Sequence, residues 1–158
     1  MLNFASGEPF STGMVECELR EVNSGREDNI RIFLSIQVEG VQTRAVLDTG
    51  GVYCILDPTI ATVIGFDPDG AIRSTNVSIR GQSYSGNLYR ANLEIIAQIG
   101  NTLRQEVTVF VPDAEIEDWR GRGLPTFLGL TGCLEFIRFA LDPLSESFYF
   151  GPTEMEIN

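Results

Sequence analysis

Apolar and polar residues alternate along two early stretches of the chain, and this pattern predicts β-strands. Val15, Cys17 and Leu19 alternate with charged neighbours, and the same two-residue period runs from Ile30 to Val38. A period of two places every second side chain on one face, so both stretches are predicted to be half-buried strands. The segment from Asn23 to Gly25 interrupts the pattern and predicts a turn between them.

A third alternating stretch leads directly to an aspartate. Glu39 and Gly40 predict a hairpin turn, after which the strand from Val41 to Leu47 runs into Asp48. The sequence AVLDTGGVYCIL, residues 45–56, therefore places one carboxylate between two apolar runs. A buried carboxylate is costly without hydrogen-bond donors. Asp48 is predicted to lie where the strand ends in a loop, a position that can supply such donors.

The second half of the chain also predicts mostly strands. The segment from Thr75 to Ile95 predicts a hairpin whose small, polar and Gly-containing tip, Arg80 to Gly86, is expected to move. Another strand is predicted from Gln105 to Val111. The sequences FIRFAL and SFYF predict a closing hairpin about the turn at Asp142 and Pro143.

Helical signals are few. Asp57 and Pro58 predict a helix start with Asp57 as the N-cap, and Gly65 predicts its end. The predicted apolar face of this helix consists of Ile60, Val63 and Ile64. The charged, Gly-broken sequence AEIEDWRGRGLP, residues 114–125, is predicted to be a surface loop with room for one helical turn.

Composition narrows the class of protein. The 158 residues, of which 43% are apolar, predict one domain with a sizeable core. Eleven basic against twenty-two acidic residues give a net charge of -11, which disfavours nucleic acid and anionic membranes as partners. The three cysteines lack short spacings and are expected to be reduced thiols. The first residues lack the features of a signal peptide, so we expect a cytoplasmic protein.

The chain contains no histidine. A Ser-His or Cys-His nucleophile pair and a histidine metal site are therefore excluded, and carboxylates remain for acid–base chemistry. The acidic stretch from Asp113 to Asp118 and the segment from Asp67 to Gly70 lack calcium-loop spacing, and both are predicted to be solvated loops or turns. A turn aspartate that caps Gly50 and Gly51 stays open as a structural alternative for Asp48.

Three motifs follow one another in a fixed order. Asp48-Thr49-Gly50 follows an apolar strand, a polar hairpin tip comes roughly thirty residues later, and Phe127-Leu128-Gly129 precedes a predicted short helix containing Gly132 and Cys133. This order resembles the retropepsins, the retroviral-type aspartic proteases, over roughly residues 30–150, and is most similar to their small bacterial members. The resemblance implies a mostly β fold, a closed or orthogonal β-barrel lobe with one or two short helices and a flap hairpin.

The resemblance also implies a division of the chain and an activity. Residues 26–152 are predicted to be the retropepsin-like domain, residues 1–25 an N-terminal extension or extra strand, and residues 153–158 a tail. The implied activity is aspartic endopeptidase, with no metal and no cofactor. Only one Asp-Thr-Gly occurs, and a single carboxylate cannot act as both base and acid around one water. The second Asp48 is therefore expected from another copy of the chain, in a C2 homodimer that acts on a peptide or protein substrate.

The resemblance assigns roles to particular residues. The predicted catalytic residues are Asp48, Thr49 and Gly50, with a water activated between two Asp48 carboxylates. The predicted substrate-binding residues are Gly51, Val52, Ile79, Arg80, Gly81, Gln82, Ser83, Tyr84, Leu128 and Gly129.

One departure from the family keeps an alternative open. Retroviral members usually carry Ala after the triplet and an Asp two positions further, and an Arg after the apolar-apolar-Gly motif that pairs with this Asp. The corresponding residues here are Gly51, Tyr53 and Leu130. The alternative is a catalytically silent dimerisation or peptide-binding module of the same fold. The closing hairpin, with its SFYF strand, is the predicted replacement for the dimer contacts of the lost ion pair.

Overall fold

The computed structural model describes residues 1–23 and 28–153, and most of them lie in β-strands. The strands are β1 (Gly13–Glu16), β2 (Glu18–Asn23), β3 (Asp28–Val38), β4 (Val41–Val52), β5 (Cys54–Ile55), β6 (Arg73–Ile79), β7 (Gln82–Ile95), β8 (Ile99–Gly100), β9 (Leu103–Pro112), β10 (Thr126–Thr131), β11 (Ile137–Asp142) and β12 (Ser147–Pro152). The helices are α1 (Pro58–Ile64) and α2 (Ile116–Gly121), with 3-10 turns at Pro68–Gly70 and Leu134–Phe136. The predicted turn at Ser24 and Gly25, and the tail beyond Thr153, lie outside the described residues.

The larger sheet closes on itself. Its strand order is β2-β3-β4-β10-β5-β9-β7-β6, and β3 also pairs with β7 through Gln37 opposite Glu94 and Val38 opposite Leu93. The strands β3, β4, β10, β5, β9 and β7 therefore form a ring. The pairs β4–β10 and β5–β9 are parallel, and the other neighbours are antiparallel. The predicted mostly β fold with a closed sheet is confirmed.

A smaller sheet, in the order β11-β12-β1-β8, packs against this ring. The chain crosses between the sheets at Cys17, so the single strand predicted from Val15 to Leu19 is in fact β1 and β2. The backbone N–H of Cys17 donates to the carbonyl of Glu146 at 2.8 Å. The strand β12, which contains SFYF, pairs with β11 on one side and β1 on the other. Both edges of β12 are therefore paired, and the outer edge of the closing hairpin is that of β11. The role of this hairpin in dimer contacts stays a prediction.

Alternation in β3 predicts the barrel interior correctly where the ring is closed. Leu34, Ile36 and Val38 are fully or almost fully buried. Ile30 is 66% exposed, although it continues the same pattern. It lies where β3 pairs with β2 alone, ahead of the residues that pair with β4, so the ring does not cover it.

The local signals for turns and for the first helix are confirmed. Glu39 and Gly40 turn the chain with φ angles of 47° and 77°. The Asp57 carboxylate caps α1 by accepting a hydrogen bond from the N–H of Thr59 at 2.7 Å, and Gly65 ends the helix with a φ of 74°. Val63 is an exception, because it is exposed while Ala61 is buried against the core.

Two other predictions need correction. The segment predicted to be a surface loop with room for one helical turn does contain a short helix, α2, but its Trp119 is completely buried and not at the surface. The short helix predicted after Gly129 is a 3-10 turn, Leu134–Phe136, which begins after Gly132 and Cys133. Gly132 has a φ of 73° and forms part of the turn that leads into it.

Candidate active site

Asp48 lies at the start of a bulge in β4. Up to this residue β4 pairs regularly with β10, with Asp48 opposite Gly129. The next pair is Val52 with Thr131, so three residues of β4 stand opposite Leu130 alone. The strand assignment continues to Val52, but the pairing is interrupted over residues 49–51. The extra residues push Thr49 and Gly50 out to the surface and leave Asp48 half-buried.

The Asp48 carboxylate is held by the backbone of its own bulge. Its Oδ1 accepts a hydrogen bond from the N–H of Gly50 at 3.2 Å. A Cβ on Gly51 would lie 2.8 Å from Oδ2 of Asp48, so the carboxylate can occupy this position because residue 51 has no side chain. Asp48 therefore caps the Gly50 N–H, as the structural alternative for this residue predicted. Within the described residues, no donor bonds its Oδ2.

Directly behind the bulge, the backbone of β10 at Gly129 lies close to the backbone of Val52 and Tyr53. The N–H of Gly129 donates to the carbonyl of Tyr53 at 2.8 Å, and the N–H of Tyr53 donates to Thr131 at 2.7 Å. Tyr53 has a φ of 59°, which is unusual for a large side chain. A Cβ on Gly129 would lie 2.5 Å from the carbonyl carbon of Val52. Glycine at this position allows β10 to pass the end of β4 and hold the bulge from behind.

A cleft of about 500 Å³ opens in front of the bulge. The hairpin of β6 and the start of β7, residues 73–86, covers it, and we call this hairpin the flap. The cleft is lined by Arg31, Val46, Leu47, Asp48, Gly50, Gly51, Val52, Tyr53, Ile55, Thr75, Asn76, Val77, Ser78, Ile79, Arg80 and Phe127. The wall combines apolar side chains with hydroxyl, amide and guanidinium groups around one carboxylate, and a cleft of this kind can hold a ligand.

The flap packs against the barrel through its inner face. Val77, Ile79 and Tyr84 are buried in a cluster with Val46, Ile55, Leu88, Phe110, Trp119, Leu124 and Phe127. The ring of Tyr84 meets that of Trp119 edge to face, with centroids 5.5 Å apart. The tip is shorter than predicted, because Arg80 and Gly81 complete the turn at φ angles of 48° and 80°, and Gln82 already pairs with Ile79.

Arg80 carries a cation from the flap tip into the cleft. Its guanidinium lies over the ring of Phe127, 5.8 Å from the centroid. Burial lowers the pKa of Arg80, as do the charges of Arg31 and Arg122, whereas the Asp48 carboxylate raises it. Arg122 approaches from behind the tip, with Nη2 3.5 Å from the carbonyl oxygen of Arg80, and also bonds the hydroxyl of Tyr84.

The structure brings together only some of the predicted substrate-binding residues. Gly51, Val52, Ile79 and Arg80 line the cleft beside Asp48. The others lie elsewhere: Gly81, Gln82 and Ser83 are exposed on the flap, Tyr84 is buried beneath it, Leu128 is in the core, and Gly129 is behind the bulge. Alternation explains the position of Leu128, because Phe127 and Leu128 face opposite sides of β10.

Sequence reasoning did not select ten of the residues that line the cleft, and three of them are instructive. Arg31 lies on the polar side of β3, and the β3–β4 hairpin, with Phe33 opposite Val46, brings it beside Asp48. Tyr53 follows the bulge, and its hydroxyl lies 3.5 Å from Nη2 of Arg73. Phe127 belongs to the motif Phe127-Leu128-Gly129, of which only Leu128 and Gly129 were predicted to bind substrate. The alternating pattern of β10 is the signal that could have identified it.

Residues 1–23 and 28–153 contain no group of three or more Cys, Asp or Glu side chains suited to holding a metal ion. In the same residues, no helix has both the length and the apolar character needed to cross a bilayer.

The fold is similar to solved retropepsin-like structures. A retropepsin-like aspartic protease from Rickettsia conorii matches with a TM-score of 0.51 and 18% identity, over 85% of this chain and 92% of that chain. The EIAV protease complexed with the inhibitor HBY-793 matches with a TM-score of 0.42 and 15% identity, over 68% and 88% of the two chains. The retroviral protease-like domain of Ddi1 from Leishmania major matches with a TM-score of 0.42 and 13% identity, over 78% and 96%.

No family model and no curated protein matches the sequence. The similarity is therefore one of structure, and the Rickettsia match carries it, because it covers nearly the whole of both chains. The chain has the retropepsin-like fold. The resemblance drawn from Asp48-Thr49-Gly50 and the later motifs is confirmed at the level of the fold.

Proposed function

We propose that this protein is a homodimeric aspartic endopeptidase, in which two Asp48 carboxylates, one from each subunit, activate a water for peptide hydrolysis. The observation that carries this proposal is the placement of Asp48. Its carboxylate lines a cleft of both apolar and polar side chains, accepts a hydrogen bond from the Gly50 N–H at 3.2 Å, and is covered by a hairpin.

The chemistry requires a second carboxylate. One group must take a proton from the attacking water while another donates one to the carbonyl oxygen of the substrate. Asp48 is the one carboxylate among the described residues that line the cleft. A second copy related by a two-fold axis supplies the same residue in the same environment.

The surface beside Asp48 is suited to such contact. Thr49 and Gly50 are exposed on the bulge, and next to them Val52 is 37% exposed and Leu130 is 42% exposed. Exposed apolar side chains grouped around a polar loop are typical of an interaction surface. Two bulges that meet here bring the carboxylates together, and we assign Thr49 to a hydrogen bond across the dimer beneath them.

In the dimer, two carboxylates in contact cannot both ionise, so they share one proton. The ionised member accepts a proton from the water, and the water oxygen attacks the scissile carbonyl carbon. The protonated member donates to the carbonyl oxygen, which gives a tetrahedral diol without a covalent enzyme intermediate. The carboxyl that took the water proton then donates it to the leaving nitrogen, while the other carboxylate takes a proton from a diol hydroxyl. The C–N bond breaks, and an acid and an amine are released.

The peptide would lie extended between the bulge and the flap. Backbone groups of β6 and of the bulge can pair with it as an added strand. The side chains of Val46, Ile55 and Phe127 offer apolar contacts on the barrel side. Opening of the flap would admit the peptide, and closure would exclude bulk water.

The three cysteines are free thiols and all are buried. Free thiols are typical of a reducing compartment. We therefore propose that the enzyme works in the cytoplasm, on peptide segments of other proteins.

The decisive experiment compares wild type with Asp48→Asn in digestion of a peptide mixture from pH 4 to 7. We expect cleavage to fall by roughly 10²–10⁴-fold in the variant, while sedimentation shows an unchanged dimer. Asp67→Asn, the same chemical change at an exposed turn outside the cleft, is the matched control and should cut like wild type. Equal cleavage by wild type and Asp48→Asn would refute the proposal. Folded dimers that bind peptides and do not cut them would favour the silent binding module.

A further inference from the structure

The cleft around Asp48 carries a charge opposite to that of the whole chain. The charged side chains that line it are Arg31, Asp48 and Arg80, so two cations face one anion in a protein of net charge -11. In the proposed dimer the two Asp48 residues share one proton. Four arginines would then face a single negative charge. A region of this composition attracts anionic groups, although the rest of the surface repels them.

Arg80 is oriented, and both arginines have donors to offer. Arg80 is fixed by the two-residue turn of the flap and by its contact with the Phe127 ring, 5.8 Å from the centroid. Among residues 1–21 and 29–153, no ion pair includes Arg31 or Arg80. A guanidinium has five N–H donors, so acceptor positions remain to be filled when a ligand enters.

Repulsion among the arginines increases the benefit of an added anion. The charges of Arg31 and Arg122 both lower the pKa of Arg80, which means that each of them repels the Arg80 guanidinium. A carboxylate that enters between them would relieve this repulsion and form charge-assisted hydrogen bonds. Arg122 is already engaged with the Tyr84 hydroxyl and with the backbone of Arg80. The available donors are therefore those of Arg31 and Arg80.

We propose that the cleft selects peptide segments with a glutamate or aspartate beside the two apolar residues that flank the scissile bond, and that Arg80, together with Arg31, binds this side-chain carboxylate. This inference rests on the proposed peptidase function of the same site. The planar guanidinium matches the two oxygens of a carboxylate, which an amide of the same shape cannot replace. The neighbouring wall, formed by Val46, Ile55 and Phe127, takes the apolar side chains of the same segment.

The test uses peptides with a central apolar pair and one variable position, which is occupied by Glu, Gln or Lys. One set of three peptides has this position before the apolar pair, and a second set has it after the pair. For the wild-type dimer we expect kcat/KM to be about tenfold higher for Glu than for Gln, and lowest for Lys. Arg80→Met should abolish the difference between Glu and Gln, and Arg80→Lys should restore part of it. Arg80→Glu should shift the preference toward the Lys peptide.

Arg104→Met is the matched control. The Arg104 side chain is exposed, pairs with Glu94 at 3.2 Å and does not line the cleft, so its loss removes a positive charge elsewhere on the surface. This variant should keep the full preference for Glu. A preference that falls equally in Arg104→Met and Arg80→Met would overturn the inference, because net charge alone would then explain it.

Other outcomes separate this inference from the proposed function. Asp48-dependent cleavage with equal kcat/KM for Glu and Gln would overturn the acidic preference and leave the peptidase intact. An equal loss on all peptides in Arg80→Met would assign Arg80 to the shape of the flap and also overturn it. If no peptide is cut, calorimetry measures the Kd of the Glu and Gln peptides for the full chain. Tighter binding of Glu that depends on Arg80 would support the inference without catalysis, and equal or absent binding would reject it.

Discussion

The Asp48 carboxylate occupies the space that a side chain on Gly51 would need. A Cβ at residue 51 would lie 2.8 Å from Oδ2 and 3.1 Å from Cγ of Asp48. These distances are too short for a real contact, so one of the two groups would have to move. The group that can move is the carboxylate, because it is the end of a side chain.

Gly51→Ala should therefore separate activity from stability. Rotation of the carboxylate accommodates the new methyl group, and we expect the free energy of unfolding to change by less than about 1 kcal/mol. The displaced carboxylate no longer holds the water correctly, so kcat should fall roughly 10²-fold. Urea unfolding and peptide cleavage on the same preparation measure the two effects. Full activity in Gly51→Ala would mean that the orientation of the carboxylate is not important.

Gly129→Ala should have the opposite effect. Its Cβ would lie 2.5 Å from the carbonyl carbon of Val52 and 2.6 Å from the carbonyl oxygen of Tyr53, and neither backbone atom can rotate away. We expect a loss of at least about 1–3 kcal/mol in the free energy of unfolding. Gly50→Ala is the stability control, because its nearest contact would be Asp48 Oδ1 at 3.6 Å. Equal stability of the two variants in urea would contradict this account.

Leu130→Asp should dissociate the proposed dimer. Leu130 stands opposite the bulge and is 42% exposed, so a charge there would face the second subunit. We expect sedimentation to show a monomer and cleavage to be lost with it. Leu144→Asp, at a turn residue that is 94% exposed, makes the same change outside this surface and should remain an active dimer. An active monomer of Leu130→Asp would show that one Asp48 is sufficient, against the mechanism.

The buried thiols predict loss of stability in alkali. Burial raises the pKa of Cys133 from 9.0 to about 12, and burial and the nearby Cys133 raise that of Cys54 as well. Between pH 9 and pH 12 the unfolded chain loses the Cys133 proton while the folded chain keeps it. The contribution of this thiol to the free energy of unfolding is therefore full below pH 9 and declines as the pH rises toward 12. The free energy of unfolding should fall by about 1.4 kcal/mol per pH unit for this thiol.

The matching measurement is urea unfolding from pH 8 to 10.5 for wild type and Cys133→Ala. The variant starts from a lower stability because it leaves a cavity, but its dependence on pH should be shallower. Parallel curves would mean that Cys133 ionises equally in both states.

The sequence predicted those parts of the fold that depend on local chemistry. Alternation identified the buried face of β3, and the Asp57 cap and Gly65 bounded α1, because caps and periodicity act within a few residues. Parts that depend on closure of the barrel were missed. Trp119 lies in a charged segment and is buried only because the flap and β10 meet over it. Arg31 is a different case, because the β3–β4 hairpin itself, with Phe33 opposite Val46, brings it beside Asp48 two residues further on.

The same division holds for the candidate site. The Asp-Thr-Gly motif is local, and it led directly to the cleft. The remaining wall comes from several strands, so a list of residues near the motifs included Leu128, which faces the core, and omitted Tyr53 and Phe127. The roles of the residues in catalysis and binding remain predictions for the experiments above.

The position of Trp119 gives the protein an optical signal of its own. It is the single tryptophan of the chain and is fully buried. Its ring packs edge to face against that of Tyr84 on the flap, with the ring centroids 5.5 Å apart. Lifting of the flap would hydrate the indole, shift its fluorescence to longer wavelength and admit a soluble quencher. Opening and closing can thus be timed in stopped flow without any label, through a residue that takes no part in the chemistry.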